Sequence, residues 1–354
     1  MALPADAAIH RIGVFRALAL GDLLCATPAL RALKGRFPDS ELTLIGLPWA
    51  RALAERLSCV DRFEEFPGHP GLPEIEPDVH ALPAFLSRMQ AAKFDLLLQM
   101  HGSGSIVNPL LATFGATRLA GFTENNNFCA DPALHVEWPR SGHEIDRMLR
   151  MVDHLGIARR GTHLEFPVTE ADHAGLHRAV PEFDDAVPFA CVHPGAQLPS
   201  RRWLPERFAS VADRLAARGL RVVLTGTAAE SVVTARVAQH MRHAALDLAG
   251  RTDLFQLGAL VQQAELVVCN DTGISHIAAA LRTPSVVVSS GADVSRWAPL
   301  DHGLHAVLWH DTPCRPCGYR DCPFDHACAA GVETASVSAS ALRFARTSTE
   351  TDSA

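Results

Sequence analysis

Three polar segments in the second half of the chain each follow an apolar run and carry side chains suited to binding anions. One of them, residues 270–276 (NDTGISH), places Thr272 and Gly273 where an apolar helical pattern begins. Backbone N–H groups at the N-terminus of a helix bind anions, because the helix dipole is positive there. Asp271 precedes this turn, and His276 follows one helical turn later, where it can donate to the same anion. The segment therefore predicts a diphosphate site, with a simple helix cap as the alternative.

Two further loops carry groups that suit a nucleotide. In residues 193–196 (HPGA), Gly195 and Ala196 let the backbone approach a ligand closely, and the nearby Arg201 offers a bidentate guanidinium for phosphate oxygens. Glu230 follows a third loop, where a carboxylate can accept hydrogen bonds from ribose hydroxyls. Taken singly, these residues also fit a solvated arginine pair and a first-turn helix charge. Because all three loops should open at one edge of a parallel sheet, together they favour a nucleotide diphosphate.

In the first half of the chain the chemically useful residue is Asp22. It comes at the end of a loop, residues 17–21, that follows the apolar run at 12–15. A carboxylate at this position can act as a general base toward a hydroxyl group, and a helix-terminal charge without chemistry is the alternative. Residues 101–104 (HGSG) lack the third glycine of a dinucleotide fingerprint, so a nicotinamide-dependent oxidoreductase is disfavoured.

Four cysteines lie close together near the C-terminal end, in the segment 314–328, which we call the Cys-rich segment. Four thiolates suit a tetrahedral structural zinc ion, although the spacing is looser than that of paired C-x-x-C knuckles. An iron–sulfur cluster and a loop of reduced thiols are the alternatives. The four residues are Cys314, Cys317, Cys322 and Cys328.

Apolar runs and helical patterns alternate along both halves of the chain, which predicts an α/β protein with parallel sheets. In the first helix, Thr27 and Pro28 fit the N-cap and the first helical position. A polar stretch at 168–187 is predicted to connect two Rossmann-like domains, 1–180 and 181–354. The predicted strands are 12–15, 41–46, 94–99, 189–193, 220–225, 266–270 and 285–289, and the later helices are 49–57, 205–218, 229–241, 254–264 and 274–281.

Bulk properties exclude several classes of protein. The formal net charge of −7 argues against a general nucleic-acid binder. No apolar run reaches the roughly 18 residues that span a bilayer, and the first eight residues do not resemble a secretory signal. We therefore expect a cytoplasmic protein with reduced cysteines.

Several segments, taken in this order, resemble glycosyltransferase family 9, the family of bacterial lipopolysaccharide heptosyltransferases. The resemblance extends from about residue 11 to residue 337. It is carried by GDLLCATPALRALKGRFP (21–38), HEIDRMLRMVDHLGI (143–157), HPGA (193–196), RRWLPERF (201–208) and NDTGISHIAAAL (270–281).

The resemblance implies a GT-B fold, with an acceptor-binding domain at 1–180 and a nucleotide-sugar-binding domain at 181–354. It implies an inverting glycosyltransferase that needs no metal ion. The family's catalytic aspartate matches Asp22, and its phosphate-binding lysine falls at Arg201, which keeps the charge but cannot donate a proton. The other donor contacts carried over from the family are Gly195, Ala196, Glu230, Asp271, Thr272, Gly273 and His276.

The function expected from the resemblance is transfer of heptose from ADP-heptose onto a lipopolysaccharide core or a related surface glycan. The alternatives are a transferase that uses another nucleotide sugar and a sugar-nucleotide-binding protein without activity. A lipid-linked saccharide acceptor would place the protein peripherally on the cytoplasmic face of the inner membrane. Basic residues in two early helices could contact that surface, or could form ordinary solvated helix faces: Arg31, Lys34, Arg36, Arg51 and Arg56.

Overall fold

The computed structural model describes residue 3 and residues 8–124 and 127–345. The chain divides into two compact units, Met1–Pro167 and Val168–Ala354, called here the first and second units. In the described residues each unit contains a six-stranded sheet in which every pair of neighbouring strands is parallel. This agrees with the predicted α/β class.

The first unit has the strand order β3-β2-β1-β4-β5-β6. The chain builds the sheet outward from β1 in one direction and then returns to β4 on its other side, so the order reverses between β1 and β4. Ligands of such sheets bind at this reversal, beyond the carboxyl ends of the strands. The elements are β1 (Arg11–Phe15), α1 (Leu20–Arg36), β2 (Glu41–Gly46), α2 (Arg51–Ala54), β3 (Arg62–Glu65), α3 (Leu82–Ala92), β4 (Leu96–Gln99), α4 (Val107–Ala112), β5 (Leu119–Thr123), β6 (His135–Glu137) and α5 (Glu144–His154).

The second unit repeats this plan with the order β12-β11-β10-β7-β8-β9, and its reversal lies between β7 and β10. Its elements are α6 (Glu170–Ala179), β7 (Phe189–His193), α7 (Pro205–Ala216), β8 (Arg221–Leu224), α8 (Ser231–His240), β9 (Ala245–Asp247), α9 (Leu254–Gln263), β10 (Leu266–Asn270), α10 (Gly273–Leu281), β11 (Ser285–Val288), α11 (Val294–Trp297), β12 (His305–Leu308), α12 (Ala327–Ala330) and α13 (Thr334–Phe344).

The central strands are buried along their whole length. Every residue of β7 and of β10 is buried, as expected for strands covered by helices on both faces. The core of the second unit includes Trp203, whose ring meets Phe208 edge-on with 5.1 Å between centroids. The carboxyl ends of β7 and β10 are therefore fixed from both sides by a packed core.

The first helix begins earlier than the sequence predicts. Helix α1 starts at Leu20 and continues through Pro28, so the prediction that Thr27 and Pro28 open the helix is wrong. Proline removes the hydrogen bond that the Leu24 carbonyl would normally accept in a helix. The Thr27 hydroxyl replaces that donor, with 2.7 Å between Thr27 Oγ1 and the Leu24 oxygen. Because helix α1 starts at Leu20, Asp22 lies in its first turn rather than at the end of a loop.

The stretch predicted as an inter-domain connection contains helix α6. Thr169 and Asp172 form a capping box at its start, and Leu176 is fully buried. Helix α6 packs against α9 of the second unit. The units therefore divide at 167/168, whereas the sequence analysis placed residues 168–180 in the first domain.

In the part of the chain that the structure describes, no helix combines the length and the apolar character needed to cross a bilayer.

Candidate functional site

Asp22 is held by an arginine at the carboxyl edge of the first sheet. Arg16 directly follows β1, and its Nη2 donates to Asp22 Oδ1 at 3.2 Å. Arg16 Nε also donates to the backbone oxygen of Asp22 at 3.0 Å. The Asp22 side chain is 20% exposed, whereas the Arg16 side chain is 1% exposed. The carboxylate thus lies at the surface of the unit while its cationic partner is buried.

Arg16 and Asp22 belong to a larger group of charges, which we call the buried ion cluster: Arg16, Asp22, Glu144 and Arg147. Arg16 Nη2 also donates to Glu144 Oε1 at 3.0 Å, and Arg147 Nη1 donates to Glu144 Oε2 at 2.5 Å. The Arg147 and Glu144 side chains are both at most 3% exposed. The Arg147 guanidinium also lies 4.5 Å from the centroid of the Trp138 ring. Two cations and two anions balance formally, which is how buried charges are tolerated.

The turn at 193–196 lies at the strand reversal of the second unit. Asn270, the last residue of β10, is fully buried and joins this turn to the segment that carries Arg201. Its Nδ2 donates to the backbone oxygens of Pro194 and Gly195, at 2.8 and 3.2 Å. Its Oδ1 accepts from the Trp203 backbone nitrogen at 2.9 Å. One amide side chain therefore fixes both loops.

The turn at residues 271–273 begins helix α10. Thr272 is the N-cap residue and Gly273 is the first helical residue, and the Thr272 side chain makes no capping hydrogen bond. Asp271 accepts a hydrogen bond from the Ser289 hydroxyl at 3.1 Å. Burial raises the pKa of Asp271, whereas the Ser289 hydrogen bond and the charges of Arg201 and Arg315 act to lower it. The turn thus presents backbone N–H groups near two arginines, an arrangement that favours an anion.

Arg201 ends a short 3₁₀ helix, Pro199–Arg201, beside the turn that follows β11. Its guanidinium donates to the backbone oxygen of Cys317, and its central carbon lies 3.8 Å from where a Cβ on Gly291 would stand. Arg202 Nε donates to the Ala196 oxygen of the 193–196 turn at 3.0 Å. The two arginines therefore donate to different loops, a difference that the sequence alone did not show.

Glu230 caps the start of its own helix and also lies close to the 193–196 turn. It closes a capping box with Thr227, whose backbone nitrogen and hydroxyl both donate to Glu230 Oε2, at 2.8 and 2.9 Å. Its other oxygen lies close to the 193–196 turn, since a Cβ on Gly195 would stand 2.3 Å from Glu230 Oε1. A side chain at position 195 would therefore meet the Glu230 carboxylate unless that carboxylate moved. The strand end beneath is polar as well, because His193 Nδ1 lies 3.0 Å from the Thr225 hydroxyl.

His276 is buried in the first turns of α10. Its ring meets Trp297 of α11 edge-on, with 6.1 Å between centroids. At the strand reversal of the second unit, the structure therefore groups Gly195, Ala196 and Glu230 on one side. Arg201, Asp271 and the start of α10 lie on its other side. Asp22 belongs to the first unit.

The spacing of the four cysteines left a structural zinc site, an iron–sulfur cluster and a loop of reduced thiols as alternatives. Among the residues that the structure describes, no three His, Cys, Asp or Glu side chains are grouped to hold a metal ion. Cys317 Sγ points toward Gly291, 2.6 Å from where a Cβ would stand, and Cys322 Sγ accepts from the Phe324 nitrogen at 3.4 Å. Cys328 is buried in α12, and burial raises the pKa of its thiol. The alternative, a loop of reduced thiols, fits this geometry.

Sequence reasoning missed Arg16, Glu144, Arg147, Asn270 and Arg315. Glu144 and Arg147 fall in the 143–157 segment that carried the family resemblance, but nothing in the spacing pairs them with Asp22. The useful signal was an arginine at the end of an apolar strand, since a cation buried there needs a carboxylate partner.

Two α/β units with parallel sheets, each with polar groups at its strand reversal, define a protein of the GT-B class. The sequence matches the model of glycosyltransferase family 9 (heptosyltransferase) over residues 83–328. The chain therefore belongs to glycosyltransferase family 9 and is a glycosyltransferase.

Individual relatives agree with this family. The chain is 24% identical over 298 residues to lipooligosaccharide heptosyltransferase 2 of Haemophilus ducreyi, covering 76% of this chain and 80% of that protein. Its fold is similar to a family 9 glycosyltransferase from Veillonella parvula, with a TM-score of 0.75, 20% identity and 87% of each chain covered. It is also similar to E. coli ADP-heptose lps heptosyltransferase II, with a TM-score of 0.71, 19% identity, and 94% and 98% of the two chains covered.

Proposed function

We propose that this chain transfers heptose from ADP-heptose onto a lipopolysaccharide core or a related surface glycan, with inversion at the donor carbon and without a metal ion. The observation that carries the proposal is the turn at Thr272 and Gly273, which starts a helix beside Arg201 at the strand reversal of the second unit. The names of the relatives support the choice of sugar, since the Haemophilus protein is a heptosyltransferase and the E. coli structure is named for ADP-heptose.

In the proposed mechanism Asp22 takes the proton from the acceptor hydroxyl, which attacks the anomeric carbon from the face opposite the diphosphate. The transition state resembles an oxocarbenium ion, as in other glycosyl transfers. Negative charge grows on the departing diphosphate, where Arg201 and the backbone amides of Thr272 and Gly273 stabilise it. These groups would supply the charge that a metal ion supplies elsewhere. Gly195, Ala196, Glu230, Asp271 and His276 complete the proposed donor site.

The proposed location is the cytoplasmic face of the inner membrane, where a lipid-linked acceptor would be met. The basic residues considered for membrane contact have partners within the first unit. Lys34 pairs with Asp61 at 2.8 Å, and Arg51 pairs with Glu65 at 3.0 Å. These pairs favour an ordinary solvated face, so the proposal relies on the acceptor rather than on these residues for membrane contact.

A screen of nucleotide sugars by thermal shift tests the donor assignment. ADP-heptose is expected to raise the melting temperature more than UDP-, GDP- or CMP-sugars do, since ligands stabilise the state that binds them. Arg201→Met should remove most of this shift, and Arg236→Met, at an exposed position on α8 of the same unit, should keep it. Equal shifts from all nucleotide sugars, or an unchanged shift in Arg201→Met, would contradict the assignment.

A transfer assay separates the enzyme from an inactive binding protein. With ADP-heptose and a truncated lipopolysaccharide acceptor, the enzyme releases ADP and extends the saccharide. Donor binding without ADP release under any acceptor would favour the binding protein, and transfer from another nucleotide sugar alone would identify a different donor.

A further inference from the structure

Arg16 uses its whole guanidinium group to organise the surroundings of Asp22. Its Nε and Nη2 donate to the backbone and the side chain of the same residue, Asp22, at 3.0 and 3.2 Å. Its Nη1 donates to the Met100 oxygen at 2.5 Å and lies 3.3 Å from Met148 Sδ. Nη2 is shared with Glu144. The fork therefore joins β1, the first turn of α1, the end of β4 and helix α5.

We propose that Arg16 and Glu144 are positioning residues that set both the orientation and the proton affinity of Asp22. This inference rests on the proposed function, because it takes Asp22 to be the base. A guanidinium that binds the backbone and the carboxylate of one residue fixes the side-chain rotamer, which general base catalysis requires. Glu144 accepts a hydrogen bond from the same Arg16 nitrogen, Nη2, and its negative charge offsets part of the Arg16 charge that acts on Asp22.

The charges in the cluster act on Asp22 in opposite directions. The cation of Arg16 favours the ionised carboxylate and makes Asp22 a weaker base, whereas the anion of Glu144 acts the other way. Arg147 forms an ion pair with Glu144 and so offsets the negative charge of Glu144.

A second ionisable pair lies at the end of β4, next to this cluster. His101 Nδ1 accepts from the Ala17 nitrogen at 3.3 Å, and its Nε2 lies 3.1 Å from Glu74 Oε1. The substitutions below leave His101, Glu74 and Arg147 unchanged, so that a shift in the pH profile can be assigned to the residue replaced.

The test compares the pH dependence of kcat/KM in Arg16→Met and Glu144→Gln with the wild-type enzyme. Removing the Arg16 cation should move the acid limb upward by about one pH unit, and removing the Glu144 anion should move it downward by about one unit. Glu144→Gln should lower kcat while leaving the donor KM unchanged. Arg16→Lys keeps the charge and should bring the acid limb back toward its wild-type position.

Arg159→Met is the matched control. Arg159 pairs with Asp146 and Asp153 of α5 at 2.8 and 2.7 Å but is 38% exposed, and its loss should leave the profile unchanged. A purely structural role for the cluster would lower the melting temperature of the variants without moving the limb. Unmoved limbs, or shifts of the same sign in both variants, would overturn the inference. If Arg16→Met does not fold, Glu144→Gln alone decides, and an unmoved or raised limb would overturn it.

Asp22→Asn, assayed alongside, separates this inference from the proposed function. Wild-type turnover in Asp22→Asn would refute the base assignment itself. Loss of turnover in Asp22→Asn together with unmoved limbs in the other variants would refute only the positioning role.

Discussion

Replacing Asn270 by alanine should destabilise the second unit and weaken donor binding at the same time. The Asn270 side chain makes three hydrogen bonds, to the oxygens of Pro194 and Gly195 and from the nitrogen of Trp203. Each buried partner left without a hydrogen bond costs at least about 1 kcal/mol, so the loss of all three should cost about 3 kcal/mol. The cost should appear as a lower midpoint of urea unfolding with an unchanged slope.

Asn270→Asp separates hydrogen bonding from volume. Aspartate is nearly isosteric with asparagine, but it places an acceptor where the amide donates to two carbonyl oxygens. The hydrogen-bond argument predicts that it is at least as damaging at neutral pH as Asn270→Ala, whereas an argument from volume predicts a mild effect.

Asn108→Ala is the control for stability without donor binding. Asn108 is equally buried in the first unit and donates to the oxygens of Phe122 and Phe128 at 2.9 and 3.1 Å. Both alanine variants should unfold more easily, but only Asn270→Ala should lose severalfold in ADP-heptose affinity by calorimetry. A loss of less than about 1 kcal/mol in Asn270→Ala, or unchanged donor affinity, would refute the reasoning.

Three other predictions concern the second unit. Burial lowers the pKa of His305 to about 4, whereas in the unfolded chain this histidine has its usual pKa near 6.5. Below pH 6.5 the unfolded state therefore binds a proton that the folded state does not, and the free energy of unfolding should fall by about 2 kcal/mol from pH 7 to pH 5. His305→Asn should remove this pH dependence in urea unfolding. Gly195→Ala should raise the donor KM, because its Cβ would stand 2.3 Å from Glu230 Oε1; an unchanged KM would mean that Glu230 moves away without consequence. Thiol labelling of the native protein should reach half-buried Cys314 well before buried Cys191, whose pKa burial raises; equal rates would contradict the packing.

The parallel sheets could be predicted because their strands are uninterrupted apolar runs bounded by turn residues. Residues 189–193 and 266–270 were predicted as strands, and these bounds coincide with β7 and β10. Once such strands are placed, the loops after them must lie at one edge of the sheet. The predicted fold class, which rested on these strands, was confirmed. The predicted family and enzyme class, which rested on the order of the sequence motifs, were confirmed as well.

Contacts between distant residues could not be predicted in the same way. Arg16 and Glu144 are 128 positions apart, and only the packing of α5 against α1 brings them together. The start of α1 was misplaced because a proline usually marks the first turn of a helix. Here the Thr27 hydroxyl satisfies the carbonyl that Pro28 leaves without a donor. Cysteine spacing does not determine where each sulfur points, so the sequence left zinc as one of three alternatives for the Cys-rich segment.

The central claim is that Asp22 removes a proton from the acceptor, and the most direct test is the turnover and donor affinity of Asp22→Asn. Asp39→Asn serves as the control, since Asp39 is exposed in the turn after α1. Loss of a general base should lower kcat by roughly 10² to 10⁴ while the dissociation constant of ADP-heptose stays the same. Asp22→Asn with a wild-type kcat, or with its loss explained entirely by weaker donor binding, would contradict the account.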